Sequence, residues 1–244
     1  MNSQFVVGID VGGQTTKMGV VDARGTVLAQ TVIRTDTHHE VEKYIAEVGE
    51  ALRRIIAEAG AEGNIRGIGV GAPNANYYTG TIENAVNLVW GGTQSIPFAK
   101  LLSEEMGGLP VSLTNDANAA AVGEMTYGAA RGMKNFIMIT LGTGVGSGII
   151  INGKIIRGSN YCGGEMGHMV INVDGIQCNC GRKGCWEAYA SATALIRQTK
   201  EKMLENKDSV MWELTGGDIN RASGRTAWDA MRKGGQAGKE VVEK

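Results

Sequence analysis

Of the chain's four cysteines, three crowd together as Cys178, Cys180 and Cys185, with His168 shortly before them. One imidazole and three thiolates form the ligand set of a closed tetrahedral zinc site. A Cys-Xaa-Cys pair does not bridge itself without strain, and Gly181 and Gly184 give the intervening turn its freedom. Thiols with a merely structural role are the alternative. A Cys₃His shell has no open position, so zinc here is expected to organise the loop and not to perform chemistry. Glu165 and Glu187 flank the ligands, and zinc would hold both carboxylates where they can accept hydrogen bonds from sugar hydroxyls. The other reading of the two glutamates is exposed surface. Cys162 reads as a small buried residue.

A second kind of chemistry is written in glycine. Asp10, Val11, Gly12, Gly13, Gln14, Thr15, Thr16 and Lys17 close one apolar strand and open the next. Backbone N–H groups freed by the glycines can face a phosphate, and Asp10 can hold hydrated Mg²⁺. A Gly-rich hairpin turn with an incidental Asp is the competing reading. It is not a Walker A loop, because no Lys-Ser/Thr follows the second glycine. Gly142, Thr143 and Gly144 begin a matching turn, which fails the dinucleotide fingerprint because Ser147 stands where a third Gly belongs. Two such loops in duplicated positions can close on the phosphates of one nucleotide.

Asn115 and Asp116 end an apolar strand and immediately precede a helix. A carboxylate there can take a proton from a sugar hydroxyl as that oxygen attacks a γ-phosphoryl group. Asp and Asn also favour helix N-caps, and that reading stays open.

Elements must position these residues. Phe5 to Asp10, Lys17 to Asp22 and Val27 to Arg34 read as antiparallel strands. Val41, Ile45, Val48, Leu52, Ile55 and Ile56 recur at helical spacing over Glu40 to Ala59. Ile65 to Gly71 and Val111 to Asn115 are expected strands, and Pro97 to Met106 and Ala117 to Tyr127 expected helices. Phe136 to Leu141, Ile149 to Ile151 and Lys154 to Arg157 repeat the opening pattern. Helices are expected over Glu187 to Leu204 and Arg225 to Lys244, with a polar stretch between them. This duplication predicts an α/β fold of two similar lobes around a cleft, residues 1–116 and 117–244, the second incomplete.

Composition narrows the partners. Lys plus Arg number 24 against 25 Asp plus Glu, so no basic footprint for nucleic acid or anionic lipid is offered. There is no basic n-region with a long apolar stretch behind it, and no run of eighteen apolar residues. A cytoplasmic protein without membrane contact is expected.

Gly163-Gly164-Glu165-Met166-Gly167-His168, Cys178-Asn179-Cys180-Gly181 and Gly184-Cys185-Trp186-Glu187 are the most specific stretches, and across Asp10 to about Lys239 the chain resembles the ROK family of repressors, open reading frames and kinases. The resemblance implies the actin-like ATPase (ribonuclease H-like) fold and a hexokinase using Mg²⁺ and ATP, with glucose phosphorylated at the C6 hydroxyl. It makes Asp116 the catalytic base, Asn87, Asn115, Glu165, His168 and Glu187 the sugar-binding positions, and zinc the partner of the second His168 ring nitrogen. A homodimer is the expected assembly. An N-acetylhexosamine kinase, an idle sugar-binding protein and a sugar-responsive repressor are the alternatives. Repressors of the family carry a helix-turn-helix before the first strand, where this sequence has four residues before Phe5. Gln14 stands where the family usually has Thr, and Asn74 where it commonly has Gly. Members normally continue for several dozen residues past the position of Lys244.

Overall fold

A computed structural model of the chain describes residues 4–92, 94–159 and 163–244; Cys162 therefore lies outside the described residues. In chain order the strands and helices are β1 (Phe5–Val11), β2 (Thr15–Asp22), β3 (Val27–Arg34), α1 (Val41–Glu58), β4 (Ile65–Ala72), β5 (Ala75–Asn76), β6 (Thr81–Glu83) and β7 (Ser95–Ile96). There follow α2 (Phe98–Glu105), β8 (Val111–Asn115), α3 (Asp116–Tyr127), β9 (Phe136–Leu141), β10 (Val145–Ile151) and β11 (Lys154–Ile155). The chain ends with α4 (Glu187–Ala190), α5 (Ala192–Glu205), α6 (Val210–Leu214), α7 (Thr226–Arg232) and α8 (Gln236–Val242).

Two compact units divide it, residues 1–138 with 148–164, and residues 139–147 with 165–244. These differ from the lobes expected at 1–116 and 117–244. The reason is α3: it packs on β4 and β8 and so belongs with the strands before it.

In the first unit the sheet order is β3-β2-β1-β4-β8. Short turns make β1 to β3 antiparallel, whereas β4 and β8 join in parallel after α1 and α2, as a crossover through a helix requires. Alternation sends Val7, Ile9 and Val11 inward and leaves Val6, Gly8 and Asp10 on the other face. The inward face meets Ile45, Val48, Leu52 and Ile55 of α1 and Phe98 and Leu102 of α2. Leu52 is wholly buried, and its truncation to Ala is expected to cost about 2–5 kcal/mol. The small sheet β5-β6-β7 was not expected from the sequence.

The second unit gathers α5 to α8 around Met203, Met211, Ala227, Ala230 and Val241. Gly238 lets α8 sit directly on α7: a Cβ there would stand 2.7 Å from both Ala227 O and Ala230 Cβ. Three expectations are corrected. The helix over Glu187 to Leu204 breaks at Ser191, whose Oγ accepts from Ala194 N at 3.1 Å and so caps α5. The polar stretch contains α6 and a 3₁₀ turn, Ile219–Arg221. The terminal helix is two helices parted at Gly234, whose φ of 81° stops α7.

Candidate active site and metal centre

The candidates fall into two groups, one in each unit. In the first unit, Asp10 is the last residue but one of β1, directly opposite Lys17 of β2 and beside Gly71 of β4. Between them the chain turns tightly: Gly12 N donates to Thr15 O, and Thr35 N to Gln14 O, both at 3.0 Å. Neither Gly12 nor Gly13 has a positive φ. Their role is close approach, since a Cβ on Gly13 would lie 2.9 Å from Asn87 O. Asn87 is exposed on a loop anchored by buried Leu88 and Trp90. Beneath the turn, the buried Thr16 hydroxyl meets Thr35 Oγ1 at 2.8 Å and Tyr44 Oη at 2.5 Å. Burial pushes the Tyr44 pKa up to about 12, so this hydroxyl stays neutral. Sequence reading missed this support, because Tyr44 is far away in the chain.

Asn115 pairs with Ala72 of β4, and its Oδ1 accepts from Asn118 N at 3.2 Å. It is the N-cap of α3. Asp116 is the first helical residue and is exposed, its Oδ1 accepting from Ala117 N at 2.8 Å. The capping alternative thus describes Asn115, and the Asp116 carboxylate keeps an oxygen for other work. Partial burial raises the Asp10 pKa, Lys17 opposes this, and the negative charge of Asp116 reinforces it. Asp10, Lys17 and Asp116 accordingly share one electrostatic neighbourhood. Asn74, where a Gly was expected, adopts φ 52°, a conformation Asn tolerates. Its Nδ2 donates to Glu83 O and Asn84 O at 3.0 Å each.

In the second unit, Gly142, Thr143 and Gly144 turn between β9 and β10. Ala192 N donates to Gly142 O at 2.9 Å and Thr193 Oγ1 to Thr143 O at 2.8 Å, so the start of α5 latches the turn. Glu187 Oε2 accepts from Val145 N at 2.9 Å, and a Cβ on Gly144 would collide with that oxygen. Ser191 and Thr193 went unnoticed in sequence; a Ser before Ala-Thr-Ala is the signal that could have found them.

His168, Cys178, Cys180 and Cys185 converge, with their ligand atoms all within 4.8 Å of one another. Cys178 Sγ lies 3.8 Å from His168 Nδ1, and Cys180 Sγ lies 3.6 Å from Cys185 Sγ, too far for a disulfide. A hairpin builds the group: Cys178 N donates to Arg182 O at 2.8 Å and Gly181 N to Cys178 O at 3.0 Å. Gly184 has φ 75° and presses on Asn172 O, where any Cβ would overlap. Desolvation pushes the Cys178 thiol up to about 11. At Cys180 desolvation works the same way, but hydrogen bonds from the Arg182 backbone and side chain, with those of Cys178 and Cys185, bring it down to about 6. Glu187 Oε1 lies 3.8 Å from Cys178 Sγ, tying the metal hairpin to the Gly144 turn. Glu165 precedes the 3₁₀ turn Met166–His168 and is exposed.

The family model described as ROK matches residues 6–244. A glucokinase from Halalkalibacterium halodurans is 42% identical over 212 residues, 86% of this chain and 63% of its own length. For a Streptomyces coelicolor glucokinase the figures are 36% over 233 residues, 94% and 70%. The crystal structure of a ROK family glucokinase from Streptomyces griseus, in complex with glucose and AMPPNP, matches with a TM-score of 0.77 at 33% identity. It covers 97% of this chain and 74% of that one. The chain spans less than two thirds of the first of these relatives and somewhat more of the other two.

Proposed function

The chain belongs to the ROK family and has its actin-like ATPase fold, and from that premise we propose that it serves ATP-dependent phosphorylation of a hexose, glucose at the C6 hydroxyl. One observation carries the reading. Strands β1, β4 and β8 run parallel, and their carboxyl ends bring Asp10, the Gly12–Gly13 turn and Asp116 to one edge of the sheet, where open α/β sheets bind ligands.

The roles follow from chemistry. Asp116 accepts the C6 hydroxyl proton as that oxygen bonds to the γ-phosphorus; the bond from the γ-phosphorus to the bridging oxygen breaks, and ADP departs. Asn87, Asn115, Glu165, His168 and Glu187 hold hexose hydroxyls. Gly13, Gln14 and Thr15 offer backbone N–H groups to phosphate, as do Thr143 and Gly144, while Gly12 and Gly142 close the two turns through their own N–H bonds to Thr15 O and Gly144 O, and Lys17 neutralises charge. Mg²⁺, held through Asp10, would supply electrostatic stabilisation of the transferring group.

Zinc suits the second unit's cluster. Zn–S bonds of about 2.3 Å at tetrahedral angles set sulfurs about 3.8 Å apart, close to the spacing of Cys180 and Cys185. We read zinc as structural, with His168, Cys178, Cys180 and Cys185 as its ligands, the protein as cytoplasmic, and the assembly as a homodimer, which sedimentation would check.

Asp116→Asn tests the reading. Turnover in a coupled assay should vanish while calorimetric glucose affinity stays within a few fold, because the amide keeps shape but accepts no proton. Near-normal turnover would place the base elsewhere. Elemental analysis of protein purified without chelator should find about one zinc per chain, and none in Cys180→Ser; no metal in the parent protein would end the zinc assignment.

A further inference from the structure

The loops that the kinase reading assigns to phosphate and to hexose touch each other and share one support. They touch where Gly13 packs on Asn87, since a Cβ on Gly13 would stand 2.9 Å from Asn87 O. The support is Tyr44 of α1, which is wholly buried.

The two ends of Tyr44 face different loops. Its phenol oxygen lies 2.5 Å from Thr16 Oγ1, which in turn lies 2.8 Å from Thr35 Oγ1. Thr16 directly follows Thr15 of the phosphate turn, and Thr35 N donates to Gln14 O within that turn at 3.0 Å. The Tyr44 ring stacks on Trp90, with centroids 4.8 Å and planes 26° apart. Trp90 belongs to the Asn87 loop, which Gly91 N tightens by donating to Leu88 O at 2.8 Å. Among the described residues Trp90 Nε1 finds no hydrogen-bond partner. Ring contact is therefore what holds this indole, with Tyr44 on one side and Phe98 at 5.8 Å.

Stability does not call for the three hydroxyls. Thr16, Thr35 and Tyr44 are each wholly buried, and an apolar set of the same shape, Val, Val and Phe, would be close to neutral or stabilising, because buried hydroxyls mostly recover the hydrogen bonds they gave up in water. What a satisfied buried network adds is a single arrangement of the backbone around it. We propose that Tyr44 is a positioning residue for phosphoryl transfer: its hydroxyl fixes the phosphate turn through Thr16, and its ring fixes the Asn87 loop through Trp90. Nucleotide and hexose are thus presented to each other from one support, in a chemistry where the protein contributes mainly orientation and charge. The proposal rests on the kinase reading.

Calorimetry with glucose and with Mg²⁺-AMPPNP, each alone on the 244-residue chain, separates the two ends. Tyr44→Phe keeps the ring and removes the hydroxyl, so nucleotide affinity should fall about tenfold, the scale of one buried hydrogen bond, while glucose affinity stays within about twofold. Thr16→Val should match it, and the double variant should fall no further than either alone, because both remove the same contact. Trp90→Leu should do the reverse, weakening glucose more than nucleotide; if it fails to fold, the Tyr44→Phe split and the cycle with Thr16 still decide. Equal loss of both ligands in Tyr44→Phe, or a lower unfolding midpoint with neither affinity changed, would make Tyr44 a core residue and overturn the proposal. Additive losses in the double variant would overturn it too, since the hydroxyl would then not act through Thr16. A parent chain that binds neither ligand would sink the kinase reading and this proposal together, whereas a parent that binds both beside an unaltered Tyr44→Phe sinks the proposal alone.

Discussion

Asp10 shows how function and stability pull apart at one residue. Burial disfavours its charge more than Lys17 favours it, and Asp116 adds repulsion, so its folded pKa lies above the ordinary value. The linkage sign follows: its contribution to stability is present below the unfolded pKa of about 3.9 and lost as pH rises through the folded value. Asp10→Asn, neutral throughout, should therefore unfold at a higher temperature than the parent near pH 7. The gap should close as pH falls below the unfolded value. The same variant should lose Mg²⁺-dependent nucleotide affinity, because the proposed metal contact is gone. Thermal melts from pH 3 to pH 8 check the first half; an Asp10→Asn protein less stable at neutral pH would mean the Lys17 attraction outweighs desolvation.

Among the elements, legibility followed locality. The strands β1 to β4 and helix α1 could be read because alternation and helical spacing repeat over many residues. The strands β5 to β7, of two or three residues each, have no period to read. Ser191 and Gly234 broke helices that apolar spacing carried straight through, since one cap or one left-handed residue outweighs a weak periodicity. The metal hairpin was legible because its ligands are close in sequence, whereas Tyr44 and Trp90 are brought into one ring stack by tertiary structure alone. That hairpin supports a contrast between its two glycines. Both have positive φ, 88° at Gly181 and 75° at Gly184, but a Cβ at Gly181 meets nothing within 4 Å while one at Gly184 runs into Asn172 O. Gly181→Ala should carry the backbone cost alone, about 1–3 kcal/mol, and keep its metal. Gly184→Ala should release it, as read by a chromophoric chelator; equal retention by both would show that the hairpin yields more than its packing implies.

At the scale of the whole molecule, the two units rest on different foundations. The first has a continuous apolar core from Val7 through Leu52 to Leu113. In the second, the apolar cluster lies among α5 to α8, and the segment from Glu165 to Glu187 is held largely by turns, two isolated bridges and the four clustered ligands. Metal binding energy is folding energy where a site is not preformed, so removing zinc should act unevenly. Hydrogen exchange after chelation should accelerate strongly over residues 165–191, and over 142–145, which Glu187 and the start of α5 hold in place. Amides of β1, β4 and α1 should keep their protection, because exchange reports local opening wherever it costs less than global unfolding. Uniform acceleration across both units would make the metal a keystone of the entire chain. No change at all would mean that the turns around Cys178 and Gly184 hold without it, leaving the ligand cluster no structural part to play.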